Sequence, residues 1–293
     1  MPGSTASASN SRAPGVLLVG LNWIGDSIMA MPAVQAWRRA YPDTRLTLLV
    51  KKGLASLWSL HAAPDDVLTY ENGLAATVRA AAAVRAAAPA RAYVLPHSFR
   101  SALVPFLAGV PERVGLPGRG RDFLLTRVVP PRLGPGRLHQ GFEYCDLLLT
   151  GPDVTSLAPP ELVVPEAALA AARNQVAALP DPLLGLLPGA ARGPAKRWPT
   201  GHFAAVARRW VQEQKGGVLL MGGRDDQAAC DALAAETGPG ALSLAGRTTV
   251  PEWAALLKTC RVVVANDSGG MHLAAALRVP VAAVYGLTNP DQT

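Results

Sequence analysis

Cysteine is scarce in this chain. Its 293 residues hold three, Cys145, Cys230 and Cys260, far apart and without the paired spacing of a metal site. An odd, sparse set of this kind fits reduced thiols in a cytosolic protein. No Asp-x-Asp pair and no His/Asp cluster with metal spacing is present either, so no required metal or other cofactor is expected. Uninterrupted apolar runs of the ~18–20 residues needed to span a membrane are missing. The Ser/Ala/Pro/Gly-rich residues 1–14 contain no apolar core of a signal peptide and read as a disordered tail. Two nucleotide motifs are absent as well. The glycine-rich turn after the first apolar run has no Gly-Lys-Ser/Thr behind it and no Gly-x-Gly-x-x-Gly spacing. That excludes a Walker A loop and a dinucleotide fingerprint there.

What remains is a composition of globular, enzyme-like type, 49% hydrophobic with only 5% aromatics. The length suits two domains. The charge is unevenly divided. Residues 1–150 carry 16 Lys and Arg against 9 Asp and Glu, whereas residues 151–293 carry 12 against 12. The whole excess of +7 therefore lies in the first half, with six arginines between Arg113 and Arg137. Such a half either presents a solvated basic face or meets an anionic partner. No aromatic-interleaved basic stretch or known nucleic-acid motif accompanies it, so nucleic acid is not the expected partner. An acidic glycolipid at a membrane surface fits the charge equally well.

Short apolar runs alternate with segments of helical period from Val16 to Tyr285. This alternation predicts an α/β fold built on parallel sheets with helices on both faces. The Pro-rich residues 151–165 read as a linker between a first Rossmann-like domain, 15–150, and a second, 166–293.

Three stretches fall at the carboxyl ends of strands, where open α/β sheets bind ligands. The first holds Gly25 and Asp26 after strand Val16–Gly20; Asp26 is either a general base facing an inter-domain cleft or the N-cap of the next helix. The second, Pro188 to Pro199, places Lys196 and Arg197 where an anionic leaving group can be neutralised, or else is a basic surface loop. Trp198 is expected to pack under this loop. The third, Asp267-Ser268-Gly269-Gly270-Met271-His272, ends one strand and opens a helix. A helix start with two glycines suits a phosphate, and Asp267 or Ser268 alone could simply cap it. His272 is a phosphate donor or a structural histidine.

At these residues the chain resembles the ADP-heptose:lipopolysaccharide heptosyltransferases of glycosyltransferase family 9. The matching segments are Trp23–Asp26, Arg91–Phe106, Pro188–Ala190 with Gly193–Pro199, and Asn266–His272, in the expected order. The segment Tyr93–Phe106 and the Gly-Pro-Ala-Lys-Arg-Trp-Pro run favour the heptosyltransferase II branch over heptosyltransferase I. The resemblance implies a GT-B fold and an inverting, metal-independent transfer from ADP-heptose to the Kdo-lipid A inner core of lipopolysaccharide. It implies that the first domain takes the acceptor and the second the donor, at the cytoplasmic face of the inner membrane. By the same resemblance Asp26 is the general base. Lys196, Arg197, Asp267, Ser268, Gly269, Gly270 and His272 hold the donor, and Arg100, Arg119 and Arg121 of the basic half are the acceptor-binding candidates. Family members continue past the turn at 286–290 by one or two helices, so the chain is expected to be a truncated form.

Overall fold

The computed structural model describes residues 15–132, 134, 136–149, 154–191, 193–286 and 288–293. The expected tail therefore lies outside the described residues, as does the start of the linker.

The first unit runs β1 (Val16–Val19), α1 (Ile24–Ala40), β2 (Leu46–Lys51), α2 (Ala55–Trp58), β3 (Asp66–Tyr70), α3 (Leu74–Ala87), β4 (Arg91–Val94), α4 (Phe99–Leu107), β5 (Glu112–Gly115), β6 (Arg127–Val128) and α5 (Gly141–Leu148). Its strands form one sheet in the order β3-β2-β1-β4-β5-β6, all parallel. The second unit runs α6 (Glu166–Val176), β7 (Leu184–Leu187), α7 (Thr200–Arg209), β8 (Val218–Leu220), α8 (Gln227–Thr237), β9 (Ala241–Ser243), α9 (Val250–Leu257), β10 (Val262–Asn266), α10 (Gly269–Ala276) and β11 (Val281–Val284). Its sheet is also parallel, in the order β11-β10-β7-β8-β9. Both orders reverse direction beside the first strand of the unit, which is the doubly wound arrangement with its ligand crevice at the reversal.

Central strands such as β1 (VLLV) and β7 (LGLL) are buried at every position, because helices cover both faces of a parallel sheet. The apolar runs of the sequence therefore mark them directly. β6 carries no apolar signal in the sequence, since both of its residues are exposed. β11 lies at a sheet edge, with Ala282 and Ala283 open to solvent.

The segment after the first unit is tied down by polar groups. Gln35 of α1 donates to Pro159 O at 3.2 Å, and its Oε1 accepts from Glu161 N–H at 2.8 Å. The same Oε1 lies 3.0 Å from His61 Nε2, while His61 Nδ1 accepts from Ala63 N–H. The imidazole is thus a neutral Nε2–H tautomer, and burial pushes its pKa down to about 4. A group depressed from 6.5 to about 4 takes up a proton on unfolding, so its stabilisation is complete above pH 6.5 and lost as pH falls toward 4. We expect urea denaturation to show stability declining between those limits, by on the order of 3 kcal/mol at most from this group. A flat profile over that range contradicts the neutral buried imidazole.

Candidate active site

The carboxyl edges of both sheets open onto one cleft of about 920 Å³, lined by residues of both units. From the first unit come Trp23 to Asp26 and Glu143; from the second come the 189–191 and 196–197 segments, the 221–226 loop and the 267–270 turn.

Two helix starts meet here. α1 begins at Ile24 and α10 at Gly269, and they abut across the two units. A Cβ on Gly269 would stand 2.9 Å from Ile24 Cβ, and one on Gly25 would stand 2.7 Å from His272 Cδ2. Only glycine allows either approach. The positive ends of both helix dipoles therefore open into the same space, which favours an anion.

Asp26 is the third residue of α1 and half-buried in the cleft wall. It is not the N-cap: Trp23 holds that position, with no side-chain cap bond. Ser268 likewise occupies the N-cap position of α10 without a side-chain bond, and Asp267 lies outside the helix. Neither carboxylate is therefore the N-cap of its helix.

Asp267 instead fixes a cation. It pairs with Lys196 Nζ and accepts from Thr288 Oγ1 at 2.6 Å. Burial opposes its ionisation, but the hydrogen bonds from Lys196 and Thr288 outweigh that and hold its pKa below the usual carboxylate value. The ammonium is thereby pinned in the cleft wall instead of sweeping through solvent. Asn266, fully buried, anchors the loop that carries Lys196: its Nδ2 donates to Pro188 O at 2.8 Å and its Oδ1 accepts from Trp198 N–H at 3.0 Å. Trp198 packs beneath that loop, stacked on His202 with ring centroids 4.8 Å apart. Arg197 lines the cleft and donates to Ala190 O, with Asp226 at 3.8 Å. Burial drives the His272 pKa down to about 4, so this imidazole is neutral near pH 7 and offers a hydrogen bond, not a charge.

Asp26, Lys196, Arg197, Asp267, Ser268, Gly269, Gly270 and His272 therefore share one cleft. The three arginines expected at the acceptor do not line it. Arg100 and Arg119 are exposed on the first unit. Arg121 is 0% exposed, and its guanidinium is consumed by Pro96 O, Leu116 O and Ser98 O. An arginine surrounded by backbone carbonyls braces its own loop, so its expected contact with an acceptor is corrected to a structural role.

Sequence reasoning passed over the Met221–Asp226 loop after β8. Gly189 faces it so closely that a Cβ would lie 2.2 Å from the Asp226 carboxyl. Its signal was the same glycine pair at a strand end that marked the other loops. It also passed over Trp253, whose ring would clash with a Cβ on Gly270 at 2.7 Å, and Glu143, which pairs with His97 Nε2 at 2.6 Å. The other nitrogen of His97 faces Pro117 O at 3.0 Å, and the Glu143 hydrogen bond raises its pKa. Among the described residues, no three His, Cys, Asp or Glu side chains converge as metal ligands.

Two doubly wound sheets facing a cleft, with a pinned cation and a helix start on one side and a carboxylate on the other, define a glycosyltransferase of the GT-B class. The profile of glycosyltransferase family 9 (heptosyltransferase) matches residues 78–293, and the chain belongs to that family. It is 33% identical over 293 residues to lipopolysaccharide heptosyltransferase 2 of Escherichia coli K12, covering 95% of this chain and 84% of the relative. Lipooligosaccharide heptosyltransferase 2 of Haemophilus influenzae is 32% identical, covering 95% and 85%. The solved structure of the E. coli ADP-heptose LPS heptosyltransferase II superposes with a TM-score of 0.83 at 32% identity, over 95% of this chain and 87% of that one.

Proposed function

We propose that the protein transfers L-glycero-D-manno-heptose from ADP-heptose to the first heptose of the lipopolysaccharide inner core, with inversion. The observation that carries this reading is the single cleft holding Asp26 of one unit opposite Lys196 and the α10 start of the other. Residues 15–150 form the acceptor domain, 166–293 the donor domain and 151–165 their linker. Asp26 takes the proton from the acceptor hydroxyl as its oxygen attacks the anomeric carbon. The bond from that carbon to the diphosphate breaks on the opposite face, and ADP leaves with the electron pair. Lys196, Arg197 and the N–H groups of Gly269 and Gly270 meet the charge that develops there. His272 donates a neutral hydrogen bond, and Asp267 and Ser268 shape the turn. Arg100 and Arg119, exposed on the basic unit, face the anionic inner core at the cytoplasmic side of the inner membrane. No helix among the described residues is long and apolar enough to cross that membrane.

The test is ADP release from purified protein given ADP-heptose and heptosyl-Kdo₂-lipid A. No release with this acceptor, against release with another, overturns the acceptor assignment. Stabilisation by a UDP- or GDP-sugar beyond that by ADP-heptose in a thermal-shift series overturns the donor. Because fixed cations and helix dipoles supply the leaving-group charge here, turnover is expected to be unchanged in excess EDTA. A loss restored by adding a divalent metal contradicts that account.

A further inference from the structure

All twelve large apolar side chains that stand exposed among the described residues precede residue 164, and none lies in 166–293. The basic excess has the same one-sided distribution. Two independent properties thus single out the surface of the first unit.

Four of these side chains sit together by topology. Leu74 and Val78 occupy the first turns of α3, one helical turn apart and so on one face, 78% and 55% exposed. Phe99 opens α4, which packs beside α3. Phe123, 70% exposed, lies in the loop after β5 with its ring centroid 6.1 Å from that of Phe99. Leu74, Val78 and Phe99 lie at helix starts that follow strands of one parallel sheet, at the carboxyl edge that borders the cleft, and the ring contact with Phe99 brings Phe123 beside them. Exposed cations are interleaved with them: Arg79 beside Val78, Arg100 beside Phe99, and Arg119 in the Phe123 loop. The acidic residues at this edge are already engaged. Glu71 pairs with Lys52 at 3.4 Å, and Asp122 accepts from Gly118 N–H at 3.1 Å.

We propose that this rim, the starts of α3 and α4 with the 117–125 loop, docks the protein on an anionic lipid surface. Aromatic and aliphatic tips set among arginines match the headgroup boundary, where rings and alkyl groups enter and guanidinium groups meet phosphate. Exposed apolar clusters of this kind mark interaction sites. Docking at this edge brings the mouth of the cleft to the plane in which a lipid-linked acceptor lies. The inference rests on the reading that the first unit receives that acceptor.

Sedimentation with vesicles of phosphatidylethanolamine and phosphatidylglycerol tests it, using the double variant Leu74→Ser, Phe123→Ser. Neither side chain belongs to the catalytic or binding machinery, and both are exposed, so folding is retained. The wild type is expected to bind these vesicles, to bind phosphatidylcholine vesicles weakly, and to release with added salt. The variant is expected to bind the anionic vesicles about 10-fold or more weakly. Its ADP release with a deacylated, water-soluble acceptor is expected to equal that of the wild type, which separates docking from the acceptor assignment. Equal vesicle binding by variant and wild type, or no binding by either, overturns the proposal. So does a concentration-dependent dimer abolished in the variant, which makes the rim an interface between two copies.

Discussion

Replacing Asp26 with asparagine lowers kcat by about 10²–10⁴-fold, the range typical of a lost general base, while ADP-heptose binds nearly as before. The argument is positional. Asp26 stands in the first turn of α1, on the wall opposite the pinned ammonium, and is not the N-cap residue. Asparagine keeps its shape, so the abutting helix starts around Gly25 and Gly269 are undisturbed. The interaction of the carboxylate with the positive end of α1 is lost as well, at about 0.3–1 kcal/mol. Initial rates with saturating donor, together with calorimetric titration of ADP-heptose, separate the two effects. Unchanged turnover removes Asp26 from the chemistry. A parallel loss of donor affinity reassigns it to donor binding.

Lys196→Ala has two large consequences of different origin. The diphosphate loses its fixed counter-charge, which lowers kcat/KM by about 10²–10³-fold on the scale of a lost electrostatic stabiliser. Among the described residues Asp267, with a side chain only 5% exposed, keeps the Thr288 hydrogen bond alone, at a cost on the order of 3 kcal/mol of folding stability. The pH dependence changes sign with it. In the wild type the depressed carboxylate contributes stability above its ordinary value of 3.8 that is lost as pH falls further. In the variant burial dominates, the carboxyl prefers its proton, and stability rises as pH falls. The double variant Lys196→Ala, Asp267→Asn recovers stability and not activity. Urea denaturation and steady-state kinetics on the same preparations read both. If the double variant also recovers turnover, Lys196 serves the fold and not the diphosphate.

Much of this architecture was legible as pattern. A buried parallel strand is an apolar run, so β1, β2, β7 and β10 announced themselves, and the glycine-bearing turns after β1 and β10 marked their ends. The start of α9 reads the same way: Thr249 and Glu252 form a capping box, with Thr249 N–H donating to Glu252 at 2.7 Å. The arginines were harder. Arg119 and Arg121 belong to the same Gly/Arg-rich stretch, and periodicity does not distinguish them. One stands in solvent, while the other is buried because carbonyls from positions 96, 98 and 116 converge on it. Side-chain chemistry permits both Asp26 and Ser268 as caps; the backbone gives the first position to Trp23 and leaves Ser268 in the second without a side-chain bond.

Strand, helix and strand-end loop are consequences of local composition, and local composition is written in order along the chain. That is why two parallel sheets, a basic first half and three candidate loops follow from residue order alone. The partnerships within the cleft are of another kind. Lys196 and Asp267 are 71 residues apart, and Gly25 meets His272 from a different sheet. The first pair forms once β7 and β10 lie side by side in one sheet, and the second only when the carboxyl edges of both sheets face each other. The β7–β10 pairing turns Asp267 from a helix cap into the anchor of a cation, and the meeting of the two edges sets two glycines where two helix starts must touch.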